Sequence, residues 1–103
     1  MELIRKLAEQ IEDEIHEAKH YAKMAAELKS ERPQLAQVLY TISTQEEGHQ
    51  QMLHDEVVKI IDNHRKMHGE PPAAMMAVYE YLHKKHIDKL ADAKRYQDIY
   101  RHG

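Results

Sequence analysis

The placement of chain breakers constrains this sequence more than any other feature. No proline and only one glycine, Gly48, fall between Pro33 and Gly69, and the segments on either side are just as uninterrupted. Elsewhere the chain is rich in Ala, Leu, Glu, Lys, Gln and Met, with no Phe and no Trp, so its residues favour helix. Pro33 suits the first position of a helix, where its missing N–H costs nothing. Gly69 can take the left-handed conformation that ends one, and Pro71-Pro72 restarts the chain. The spacing predicts an all-α protein with helices over about 2–30, 33–68 and 72–101. At about 1.5 Å per residue each is on the order of 45–50 Å long.

Helices of that length need an apolar stripe from end to end. The first has Ile4, Leu7, Ile11, position 14, Ala18, Tyr21, Ala25 and Leu28, the 3-4 alternation of a bundle seam. The second offers Leu35, Leu39, Ile42, positions 46 and 49, Leu53, Val57, Ile60 and Ile61. The third offers Met76, Tyr79, Leu82, positions 83 and 86, Ile87, Leu90, Ala93 and Tyr100. With 103 residues the chain makes one domain, 1–103, whose thin core favours self-association.

Several classes drop out on composition. A net charge of −3, from 15 basic and 18 acidic residues, gives no field for nucleic acid or an anionic membrane. The longest apolar run, Ala73 to Tyr79, is far short of the roughly 20 residues of a membrane span. The start of the chain has no signal-peptide core, and zero cysteines exclude disulfides and thiolate metal sites. A cytoplasmic protein is expected.

The informative residues are those that break the stripes. Glu14, Glu46 and His49 occupy seam positions with apolar residues one turn to either side. A buried carboxylate must be neutralised, paired or bound to a metal, and no Lys or Arg stands in these seam positions. Glu46-Glu47-Gly48-His49 is a Glu-x-x-His, which sets a carboxylate and an imidazole on one helix face. The tetrapeptide is common in so Glu- and His-rich a chain, recurring at Glu17/His20 and Glu80/His83, so the seam position discriminates. A dimetal site in a bundle core uses a Glu from each of two helices and a Glu-x-x-His from each of two others. One copy of this chain supplies half of that set. Two copies bring four carboxylates and two imidazoles, whose charge two divalent cations neutralise, so a homodimer or higher homo-oligomer is expected.

These residues resemble the ferritin-like superfamily, in particular rubrerythrin-like proteins, short half-ferritins such as encapsulated ferritins, and uncharacterised short bacterial relatives. The resemblance covers about residues 2–67. It rests on Glu14-Ile15-His16-Glu17-Ala18-Lys19-His20-Tyr21, and on Pro33-Gln34-Leu35-Ala36 followed by Ser43-Thr44-Gln45-Glu46-Glu47-Gly48-His49. It implies a long antiparallel hairpin plus a third helix, completed as a four-helix bundle by homodimerisation. It also implies Glu14, Glu46 and His49 as iron ligands, Tyr21 as their hydrogen-bond partner, and ferrous-ion oxidation by oxygen or peroxide. Helix 3 carries only Glu80/His83 where a single-chain member has a second full ligand set, and no rubredoxin module is present.

Iron is the expected metal, with manganese or zinc compatible with the same donors. Two other readings stand beside a ferroxidase-type oxidoreductase: a non-redox divalent-metal carrier, and a metal-free helical assembly module with a polar layer setting register. Of the remaining histidines, His83 and His86 share a helix face and are weaker metal candidates. His54 is expected to be packed or solvent-facing, and His16, His64, His68 and His102 to lie at the surface. Gly48 is expected either to make room for a partner helix or a metal-bound oxygen, or simply to be tolerated.

Overall fold

The computed structural model describes residues 2–103, and three helices account for nearly all of them: α1 (Glu2–Leu28), α2 (Pro33–His68) and α3 (Ala73–His102). They run up, down and up in a rod of 56 × 19 × 18 Å, whose long dimension is close to the length of α2. The breakers act as expected. Pro33 opens α2 behind Arg32, and Gly69, at φ 79° and ψ −165°, closes it in a backbone region open essentially to glycine. The Gly69 N–H bonds the Arg65 carbonyl at 3.0 Å. α1 stops two residues earlier than the spacing predicts. Arg32 N–H instead caps the Leu28 carbonyl at 2.8 Å across a short turn.

α1 is the central element. It packs along both α2 and α3, whose own backbones lie close at few points. The link between α2 and α3 is made by long side chains: Tyr40 stacks on Tyr100, His54 on His83, and Gln97 reaches Ser43. Because α1 is covered from two sides, its buried line differs from the single seam. Ile4, Ile11, Ala18 and Ala25 are buried as expected, but the companion line is Ala8, Ile15 and Ala22. Leu7, Glu14, Tyr21 and Leu28 form a half-buried edge. α2 turns likewise, burying Ala36, Leu39, Ser43, Gln50, Val57 and Ile61, while Leu35 is exposed. In α3 the expected stripe is thinner still. His86, Ala93 and Gln97 are buried, and Ile87 points outward because α3 presents one narrow line to α1.

The core falls into two apolar clusters. Ile4, Ile11, Ile15, Val57 and Ile61 fill one end, flanked by Leu7, Leu53, Ile60, Met76, Tyr79 and Leu90. Ala25, Ala36 and Leu39 fill the other, capped by Tyr21, Met24, Leu28, Tyr40 and Tyr100. Between them lies a waist of small and polar residues. There Ser43 donates to the Ala18 carbonyl at 2.6 Å and accepts from Gln97 at 3.0 Å. Fully buried Ala18 and Ala22 let α1 and α2 approach closely at this level. Glu14 and Glu46 occupy the edge of the same waist.

Candidate metal centre

Antiparallel pairing of α1 and α2 brings Glu14 opposite the Glu46–His49 turn. One ligand atom from each of Glu14, Glu46 and His49 lies within 4.8 Å of the others. His49 Nδ1 stands 3.6 Å from Glu14 Oε2 and 3.7 Å from Glu46 Oε1. Ligand atoms on opposite sides of a first-row ion are about 4 Å apart, so one coordination sphere spans this cluster. The two carboxylates are well covered, with 16% of each side chain exposed, whereas His49 is 56% exposed. This corrects the expectation of three buried seam residues. Gln50 and Val57 take the interior positions of α2, which turns His49 to the rim and opens the site at the surface.

The electrostatics are those of a site short of positive charge. The Gln10 amide donates to Glu14 Oε1 at 3.0 Å, but Glu14 Oε2 is buried and has no hydrogen-bond partner. The Glu46 carboxyl is pushed up to about 8, first by hydrogen bonding to Glu14, then by burial and by Glu17. Glu14 is held below the usual carboxylate range, chiefly by that same hydrogen bond, aided by Gln10 and by His49. Without a cation the pair therefore retains a proton at neutral pH. A divalent ion could take the proton's place and satisfy Glu14 Oε2, so the donor set fits a metal.

Glu17 is the residue that sequence reasoning missed here. It lies beside the α1 seam with His20, and both are exposed, but Glu17 also presses on Glu46. The available signal was its place one turn from Glu14 on the same helix face. Tyr21 packs in the Ala25–Leu39 cluster with its ring edge-on to His20, 5.8 Å away. Among the described residues it makes no hydrogen bond to Glu14, Glu46 or His49. Gly48 is exposed, and a Cβ there would meet nothing within 4 Å, so the chain by itself does not require glycine.

The other histidines divide. His83 and His86 lie away from this cluster, on the side of α3 that meets α2, and burial holds both below the usual histidine range. His54 is half-buried against His83. His16, His68 and His102 are exposed as expected, whereas His64 is half-buried near the α2 end. No described helix is long and apolar enough to cross a membrane. No protein-family model matches the chain, and neither the curated proteins nor the solved structures give a match.

Proposed function

We propose that this chain is a ferritin-like dimetal-carboxylate protein that pairs with a second copy of itself and oxidises ferrous ion with oxygen or peroxide. The observation that carries the metal reading is the Glu14–Glu46 pair. Two largely covered carboxylates press on each other so that Glu46 is pushed up to about 8, one oxygen of Glu14 lacks any hydrogen-bond partner, and an imidazole stands at the rim. Glu14, Glu46 and His49 would hold the ion, and Gln10 orients Glu14.

The pairing is supported by where the cluster lies. Glu12 and Lys19 mark the edge of α1 that meets α3, through Lys89 and Asp92. Leu7, Glu14, Tyr21 and Leu28 lie on the opposite edge by helical periodicity. The matching edge of α2 carries Leu35, Ile42, Glu46 and His49. This open α1–α2 face is half apolar and only partly buried, and Leu35 is 45% exposed on it. A second copy laid on the same face would make a four-helix bundle with α3 outside. It would also bring a second Glu14, Glu46 and His49 to the first set, so that two divalent ions balance four carboxylates.

Iron, when bound, supplies one-electron chemistry toward an oxygen-class oxidant. The chain's own part is to hold the ligands in register, release the Glu46 carboxyl proton as the cation binds, and surround the site with apolar edges that limit water. The test is anaerobic loading with ferrous ion, followed by oxygen exposure with oxygen uptake and absorbance recorded. Uptake of iron and an oxygen-dependent absorbance change support the reading. Iron bound without oxygen consumption makes the protein a carrier, and no iron bound leaves a metal-free helical module.

A further inference from the structure

On the edge of α2 away from the carboxylate cluster, three imidazoles face one small cavity. His54 of α2 and His83 of α3 lie ring on ring, with centroids 4.8 Å apart and planes 25° from parallel. His86, one turn along α3, is only 7% exposed. Together with Gln50 they line a cavity of about 100 Å³ whose walls include no carboxylate. Both ring nitrogens of His54 and Nε2 of His86 are buried without a hydrogen-bond partner. Buried polar atoms are seldom left unpaired, and unpaired imidazole nitrogens from two helices beside one cavity call for a common occupant.

We propose that His54, His83 and His86 form a second cation site, separate from the carboxylate cluster and suited to a nitrogen-preferring divalent ion of the zinc class. Imidazoles without carboxylates disfavour hard oxygen-seeking cations such as magnesium or calcium and suit zinc, which takes three protein ligands and a water. His83 and His86 are three residues apart on one face of α3, and His54 reaches the cavity from α2, so the ion ties together the two helices that otherwise meet through few side chains. Asp55 Oδ1 stands 3.8 Å from His54 Nδ1, beyond hydrogen-bond reach, and accepts from Gln51, so the His54 ring is free to turn. The neighbouring ammonium groups of Lys85 and Lys89 are engaged by Glu12 of α1. Among the described residues only Glu14, Glu46 and His49 already bring three ligand atoms within 4.8 Å of one another. Imidazole lone pairs lie in the ring plane, so the stacked His54 and His83 rings must turn for both to reach one ion.

The experiment is a zinc titration of the full chain carrying Glu14→Gln and Glu46→Gln. It is followed by histidine side-chain NMR and by the zinc content retained after dialysis. One zinc retained per chain is expected, with the ring nitrogens of His54, His83 and His86 shifting together. Adding His86→Gln weakens binding at least tenfold, and His54→Gln, at a half-buried position, does the same should the first substitution prevent folding. No zinc retained, as for a cavity holding only water, overturns the proposal. Zinc retained with shifts at other histidines overturns it too. Either failure leaves the carboxylate cluster untouched, because that site is probed by ferrous ion in the chain with all three histidines intact.

Discussion

Glu46→Gln changes one atom of the Glu14–Glu46 pair and should move stability in opposite directions with and without metal. The folded chain holds the Glu46 proton up to about 8, whereas the unfolded chain releases it near 4.5. The folded state therefore binds more protons over that interval. The group's contribution is fully present below pH 4.5 and is lost as pH rises toward 8. A pH of 7 lies about 2.5 units above the unfolded value and still below the folded one, a disadvantage of at most ~3.5 kcal/mol at ~1.4 kcal/mol per unit. Glu14, held low by the same hydrogen bond, returns part of that. Glutamine donates permanently to Glu14 with no proton to hold, so in chelator at pH 7 the variant should gain about 1–3 kcal/mol, or upwards of ~5 °C in Tm. At pH 4.5 the gain should nearly vanish. With ferrous ion at a hundredfold over Kd the native chain gains ~2.7 kcal/mol, and the variant, lacking a ligand carboxylate, should gain little. Thermal melts at the two pH values, with chelator and with anaerobic ferrous ion, read all four conditions. A variant less stable than the native chain in chelator at pH 7, or one stabilised equally by the ion, would refute the coupled-carboxylate argument.

The remaining predictions concern the scaffold. Ile15→Ala, at the most deeply buried large side chain of the α1 seam, should cost about 2–5 kcal/mol in denaturant unfolding. Ile87→Ala, on the exposed side of α3, should stay within about 1 kcal/mol, and equal costs would contradict the observed turn of α3. Ser43→Ala removes a donor to Ala18 and an acceptor for buried Gln97, and should cost about 1–3 kcal/mol. A second substitution, Gln97→Leu, should recover part of that loss. Gly48→Ala should raise the stability of the isolated chain by up to about 1 kcal/mol, since a Cβ meets open space. If two copies pack closely at Gly48, the same change should weaken their association, measurable by sedimentation in the analytical ultracentrifuge.

Much of the architecture is written in local sequence. Pro33, Gly69 and the Pro71-Pro72 pair delimit the helices because each acts through its own backbone, with no need of tertiary context. The meeting of Glu14, Glu46 and His49 was also legible, since antiparallel pairing of two long stripes brings polar interruptions at matching heights together. What could not be read was which neighbour covers each edge of a stripe. Periodicity gives the width of an apolar face, but Leu7 and Ala8 are equally good members of it until α3 takes one side of α1. That choice buried Ala8, Ile15 and Ala22, left Glu14 at an edge and put His49 at the rim. The His54–His83 stack was hidden for the same reason, because it joins two helices whose register depends on how each sits on α1.

The central claim is that Glu14, Glu46 and His49 hold a cation shared with a second copy of the chain. Native mass spectrometry of the protein loaded anaerobically with ferrous ion reads metal and copy number together. The account predicts a dimer carrying two iron ions, which lose their hold in Glu46→Ala. A chain that stays monomeric and iron-free, or that binds iron undiminished in that variant, would contradict it.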